Sequence, residues 1–415
     1  MWSELGFDSC PYSTLPIEPS KRGDELLVGR ELELRDLMQV LAESTLHASV
    51  DGPNGVGKSS LIAIAAYQLM KESARGASSG PFLPLGTRLQ LKRGMTGEEL
   101  LDDVIVAVAD AFLANHARLD NWRNVPGKDD IEMWIRSYHN GAVLPKVFRN
   151  TVTRWLEQCY PEGTPGGFVC VLDNLELLQT SRAARDVLEE MRDEALSLPG
   201  LRWVLCGAKG IVRYAVSSAR LEGRIATPIV LKPLPASALP RLIERRIAAF
   251  RRTKDAIAPV QASGFRLLYE LNGGNLRNAL RDAEAFSLDA YNSGSCSPDA
   301  SMMEHLLRGW IATEARSAVT AIGGQLDEIH WEILEKCENA VGPVSASMYE
   351  LFNFAKYEPF RTRLRTLADA ELLSVSASDG NQSKKFYSVT PRGRLCLHAR
   401  GSTTLERMPD STSEK

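Results

Sequence analysis

Gly52-Pro53-Asn54-Gly55-Val56-Gly57-Lys58-Ser59 stands between a short apolar run, His47 to Asp51, and a helical stretch, Leu61 to Met70. It fits G-x-x-x-x-G-K-[ST], and a strand before it with a helix after it is the setting that motif requires. Glycines let the backbone turn its N–H groups inward, and the helix start adds its positive end. The eight residues therefore predict a cradle for phosphates, with Ser60 continuing it into the helix. Lys58 is expected to neutralise the outer phosphate oxygens and Ser59 to ligate Mg²⁺. The bland alternative, a chance glycine-rich turn, does not account for the flanks.

Outward from the loop, strands and helices alternate. FVCVLD (168–173) and LRWVLCG (201–207) are continuous apolar runs bounded by turn residues, as parallel strands buried on both faces are. PFLPLGTRLQL (81–91) and TPIVLKPL (227–234) read as two more, with an amphipathic helix from Thr96 to about Ala114 and a polar insertion from Asn115 to Asp130. Such alternation predicts an α/β fold, a three-layer αβα core on a parallel sheet. Asp173 closes its run where a second Mg²⁺ ligand belongs, held directly or through water. Asn174 follows it where a carboxylate base is common. Glu176, two residues on, is a candidate substitute or a solvated carboxylate at a helix start. Slow hydrolysis, and a nucleotide-controlled switch, is the expectation from that departure.

The chain has 415 residues, enough for two or three domains, and its 44% hydrophobic and 24% charged content excludes disorder, collagen and coiled coil. Its net charge of −3 argues against a polycationic nucleic-acid binder but says nothing of a local basic face. The seven cysteines form no C-x-x-C pair and read as reduced thiols. MWSELGFDSC carries no signal-peptide pattern, and no apolar run approaches the ~20 residues of a membrane span. A soluble, cytoplasmic protein without membrane partners is expected.

The order of these parts resembles the AAA+ ATPases, especially origin-recognition-type initiators and the neighbouring STAND-like switch ATPases, over about residues 25–290. The resemblance implies a P-loop NTPase core followed by an α-helical lid, with ATP and Mg²⁺ as cofactors. LLVGRE (26–31) is similar to the family's adenine-contacting box, which gives Val28, Gly29 and Arg30 that role. RLEGRIATPIVLKPL (220–234) resembles the stretch that carries an arginine finger, with Arg224 first and Arg220 in reserve. A finger serves a neighbouring subunit, so it implies a homo-oligomer. NGGNLRNAL (272–280) resembles the sensor-2 turn, which assigns Arg277 to the γ-phosphate. The first sensor stays unassigned, since Cys206 or Lys209 stands where the family has Asn, Thr or Ser. The catalytic set so implied is Lys58, Asp173, Glu176, Arg224 and Arg277.

The C-terminal part reads as three helices and a hairpin. Leu326, Ile329, Ile333, Leu334 and Cys337 share one helical face. Ser347-x-x-Glu350 reads as a capping box opening a second helix that buries Met348, Leu351, Phe352 and Ala355. A third helix starts at Glu358-Pro359, with Phe360, Leu364, Leu367 and Ala368 inward. SVSAS (374–378) and KKFYSV (384–389) pair as a hairpin, which predicts a winged helix-turn-helix domain. Between residues 356 and 400 nine Lys or Arg face four acids, a balance of +5. Arg361, Thr362, Arg365 and Thr366 on the third helix, with Lys384 and Lys385 on the wing, are the candidate contacts to double-stranded DNA. The alternative is a module that docks on protein, in a STAND-like scaffold or switch.

The expected division is an extended N-terminal segment (1–24), the nucleotide-binding core (25–234), a helical lid (235–300), the winged helix (301–400) and a disordered tail (401–415).

Overall fold

The computed structural model describes residues 1–74, 80–90, 92, 94–120, 122–175, 181–208, 210–378 and 381–401. They form two compact units. One is Leu15–Lys232, and the other joins Met1–Thr14 to the chain from Pro233 onward.

In the first unit α1 (Lys21–Leu26) and α2 (Glu31–Glu43) precede β1 (Ala48–Asp51), and α3 (Lys58–Ser73) leads to β2 (Phe82–Gln90). Then α4 (Gly97–Ala114), α5 (His116–Leu119), α6 (Lys128–His139) and α7 (Pro145–Cys159) intervene before β3 (Gly167–Asp173). The unit closes with α8 (Ser181–Met191), β4 (Leu201–Gly207), α9 (Ile211–Val216) and β5 (Ile229–Val230). The strands lie in the order β2-β3-β4-β1-β5, and every pair is parallel.

Side chains alternate across this sheet with the two-residue period of a strand. Phe168, Cys170 and Leu172 of β3 and Leu201, Trp203 and Leu205 of β4 face a core built with α4, α7 and α8. Val169, Val204 and Cys206 face the opposite way, onto α2 and α3. Both faces are covered, so the strands are apolar throughout and the αβα layering follows. The polar stretch at 115–130 holds α5 and runs into α6. Thr96 caps α4 and forms a reciprocal capping box with Glu99.

The second unit contains α10 (Leu239–Phe250), α11 (Ala262–Leu271), α12 (Leu276–Asn292), α13 (Ala300–Ile322) and α14 (Glu328–Asn339). After β6 (Val344–Ser345) come a 3₁₀ segment (Ala346–Phe352), α15 (Tyr357–Asp369), β7 (Leu373–Ser378), β8 (Asn381–Val389) and α16 (Pro391–Ala399). β8 pairs antiparallel with both β6 and β7. Ile333, Leu334, Phe360, Leu364, Leu367 and Tyr387 form the core of this C-terminal part.

Two local expectations need correction. The second helix of the C-terminal part is 3₁₀, capped by Ser345 rather than Ser347 and kinked at Met348. Its three-residue period turns Ala346 and Phe352 inward and leaves Leu351 70% exposed, where an α-helix would have buried it. The N-terminal segment is not one extended strap: it parts at Thr14 between the two units, and its last residues enter α1. The tail from residue 402 lies outside the described residues. All seven cysteines are free thiols, and among the described residues no helix is long and apolar enough to cross a membrane.

His47, at the start of β1, is buried with Nε2 2.8 Å from Leu196 O and Nδ1 accepting the Trp203 N–H at 3.4 Å. Burial first, then the charges of Arg202 and Arg224, draw its pKa from 6.5 down to about 4. Between those values the unfolded chain holds the extra proton. Stability from this site is therefore complete above the window and falls as pH drops through it, by at most about 1.4 kcal/mol per pH unit. Urea denaturation at pH 7 and pH 5 is expected to show that loss, and a His47→Gln chain is expected to lose less.

Candidate nucleotide-binding site

The loop after β1 turns on two glycines that occupy the left-handed region, Gly55 at φ +79° and Gly57 at φ +104°. Side chains with a Cβ adopt that backbone only with strain, which accounts for glycine at both. Gly52 is needed for a different reason. A Cβ there would fall 2.8 Å from Leu231 O, so the loop and the segment after β5 approach backbone to backbone. Gly57 caps α3, whose first N–H groups point to the loop's concave side.

Lys58 is buried, and its ammonium donates to Gly52 O at 2.8 Å, Pro53 O at 3.2 Å and Asn54 Oδ1 at 3.3 Å. The Ser59 hydroxyl donates to Asp173 Oδ2 at 3.2 Å. Asp173 ends β3 and is almost fully buried, while its Oδ1 accepts the Asn174 N–H at 2.8 Å. A hydroxyl and a carboxylate meeting beside an anion cradle form the donor set of a hard cation such as Mg²⁺, so the residues present fit Mg²⁺ with a phosphate chain. Among the described residues no three His, Cys, Asp or Glu side chains come together as a metal site.

Asn174 has φ +60°, where Asn is tolerated and Glu is strained. The chain leaves the sheet through that left-handed residue, a backbone reason for Asn at this position. Glu176 lies outside the described residues, as does Lys209.

Arg30 is buried. Its Nη2 donates to Lys232 O at 2.6 Å and to Val56 O at 3.3 Å, and its Nη1 pairs with Glu33 at 3.0 Å. It thus props the 52–57 loop from behind, beside the buried Val28 and the left-handed Gly29. Ser60 Oγ accepts the Ile17 N–H at 3.1 Å. Arg224 is exposed, and its carbonyl accepts the His47 N–H at 2.8 Å. That puts its backbone at the opposite end of β1 from Gly52, roughly 16 Å away at ~3.3 Å per strand residue. Arg220 is exposed and pairs with Glu189 at 3.5 Å.

In the second unit Arg277 stands exposed in the first turn of α12, behind Asn275, whose side chain accepts the Asn278 N–H. Gly273 at φ +61° and Gly274 at φ +79° form the turn before it. On α15, Arg361 pairs with Glu358 at 3.2 Å and Arg365 with Asp369 at 3.8 Å. Thr362 and Thr366 donate to carbonyls one turn back. Lys385 is exposed on β8, which also carries Lys384.

No family model matches the chain, and no curated protein matches it. Solved structures do. The Orc1 protein of Aeropyrum pernix in complex with DNA is similar at 14% identity, over 92% of this chain and 97% of that one, with a TM-score of 0.42. The Cdc6p protein of Pyrobaculum aerophilum is similar at 12% identity, over 95% and 97%, with a TM-score of 0.44. The RuvB Holliday junction branch migration motor of Thermotoga maritima is similar at 13% identity, over 89% and 95%, with a TM-score of 0.40. At this distance, what the chain does has to be read from its own residues.

One polar group of the site escapes the motif. Asp51 is buried at the end of β1, and its carboxylate accepts the Gly210 N–H at 3.0 and 3.1 Å, tying the turn after β4 to the base of the loop. The signal was present: a carboxylate closing an apolar strand needs a partner. Removing the prop behind the loop is expected to loosen it. Arg30→Met should cost about 2 kcal/mol in chemical denaturation, since buried charge-assisted hydrogen bonds are lost. It should also speed amide exchange selectively at residues 53–58.

Proposed function

We propose that this chain is an ATP- and Mg²⁺-binding AAA+-type ATPase whose nucleotide state governs DNA binding and assembly. The observation that carries the reading is the meeting of Ser59 and Asp173 at the head of a loop whose lysine is turned onto its own oxygens. A triphosphate entering the loop offers Lys58 stronger acceptors than Gly52 O, Pro53 O and Asn54 Oδ1, and the ammonium exchanges them. Bound Mg²⁺ supplies neutralisation of the developing phosphate charge. Ser59 and Asp173 orient that charge, and the loop N–H groups hold the phosphates in line.

With Asn174 in place of a carboxylate base, hydrolysis is slow and the nucleotide acts chiefly through the conformation it selects. Arg224, exposed and remote from its own loop, serves the site of a second copy, so assembly and turnover are linked. Arg277 reads the γ-phosphate. The C-terminal three helices and hairpin act as a winged helix, with α15 in the major groove and the β7–β8 hairpin on the backbone. Because Glu358 and Asp369 already pair with two of its arginines, the grip on DNA is moderate. A second reading, a module that docks on protein, is favoured by the exposure of Leu351 and Val375 on the same part.

Calorimetry with ATP tests the first claim. Lys58→Ala is expected to weaken binding by at least about tenfold, worth ~1.4 kcal/mol. Asp173→Asn is expected to remove the Mg²⁺ dependence. Absence of ATP binding by the unmodified chain would overturn the reading. For DNA, the joint Arg361→Ala and Arg365→Ala chain should lower the slope of log K against log[salt] by about 1.8, at ~0.9 per phosphate contact. Unchanged DNA affinity would transfer the module to the second reading.

A further inference from the structure

The chain passes between its two units twice, at Thr14–Leu15 and at Lys232–Pro233. Each passage is fastened on both sides within a few residues.

On the first unit, both passages are fastened at the phosphate loop. At one, Ile17 N–H donates to Ser60 Oγ in the first turn of α3, and the following turn packs so closely that a Cβ on Gly23 would meet Glu18 O and Ile64. At the other, Leu231 N–H donates to Asp51 O at 2.8 Å and Lys232 O accepts from Arg30.

On the second unit the fastenings differ. Leu234 O accepts the Tyr269 hydroxyl at 3.1 Å, and Pro233 lies against Gly274, where a Cβ would fall 2.8 Å from it. That is the turn leading to Arg277. Residues 1–14 are fixed more heavily. Phe7 and Tyr12 are fully buried, and Phe7 bridges Arg251 in antiparallel fashion. Backbone bonds run from Asp8 to Phe250, from Arg252 to Gly6 and from Ile257 to Leu5. The Tyr12 hydroxyl donates to Val260 O at 2.6 Å and accepts from Val260 N at 3.0 Å. The buried Arg246 guanidinium donates to Pro11 O at 2.8 Å and to Ser13 O at 2.6 Å.

By burying two aromatic rings and engaging an internal arginine, residues 1–14 are built into the fold of the second unit. Two covalent passages leave fewer independent motions than one, so the second is able to carry a signal that a lone linker would lose. We propose that residues 1–14 are a second tether, through which phosphate occupancy of the loop is passed to the unit that carries Arg277 and the C-terminal module. The inference rests on the nucleotide reading above and adds its means of transmission. Filling the loop moves the first turn of α3, hence Ser60 and Ile17. Residues 1–14, held by Arg246 and Val260, carry the shift across at the same time as the 232–233 passage.

The test lengthens the tether and leaves every docking contact in place. Ten Gly/Ser residues inserted between Thr14 and Leu15, the latter 76% exposed, add a slack of roughly 17 Å at ~5–6 Å × √n. The control carries the same insertion between Gly294 and Ser295. Each chain is measured for ATP affinity and for amide exchange of residues 269–280 with and without Mg²⁺ and ATP. The slackened chain is expected to bind ATP within about twofold of the unmodified one while its nucleotide-induced protection at 269–280 falls at least about fivefold, a coupling loss without an affinity loss. The control should keep both. Full protection in the slackened chain would overturn the tether and leave the nucleotide reading standing. No ATP binding, or no nucleotide-induced change in the unmodified chain, would overturn both.

Discussion

The Ser59 hydroxyl and the Asp173 carboxylate meet at 3.2 Å although 114 residues separate them. Only the sheet makes that meeting possible. β3 and β1 flank β4, all three run parallel, and their carboxyl ends share one edge, so the residue that closes β3 faces the helix that follows β1. Parallel pairing requires helical crossovers, and the crossovers bury both faces of the sheet. The apolar strands, the layered core and the polar pair at its edge are thus one constraint seen at three scales. The polar edge is tolerated because each buried group is met: Asp173 by Ser59 and Asn174, Asp51 by Gly210, Arg30 by two carbonyls and Glu33.

Much of this was legible in the sequence because it is local. The loop motif spans eight residues, and strands buried on both faces announce themselves as continuous apolar runs. The 3₁₀ segment after β6 was not legible, because Met348, Leu351 and Phe352 suit an α-helical stripe as well, and only packing selects the three-residue period. The seat of the N-terminal segment was hidden for another reason: Arg246 and Pro11 are 235 positions apart, and nothing in either stretch names the other. On α15 the net charge hides pairing within the helix. Glu358 precedes Arg361 by three residues and Asp369 follows Arg365 by four, the spacings at which helical neighbours pair. A net charge of +5 for the module overlooked this, and the structure shows the arginines already engaged.

The turn before Arg277 shows how the start of α12 is joined to the C-terminal part within one unit. Gly273 is required by its φ of +61°, and the tip of the Arg394 side chain lies against it, with Nη1 2.2 Å from where a Cβ would stand. Arg394 belongs to α16, and its Nε donates to Glu338 of α14 at 2.7 Å. The other oxygen of Glu338 is buried and has no hydrogen-bond partner among the described residues. A carboxylate so placed depends on its single guanidinium, so Arg394 does not leave Glu338 without a desolvation cost. The Arg394 side chain therefore stands beside the glycine turn while its Nε holds Glu338, which joins the turn, α16 and α14 in one connected set of contacts.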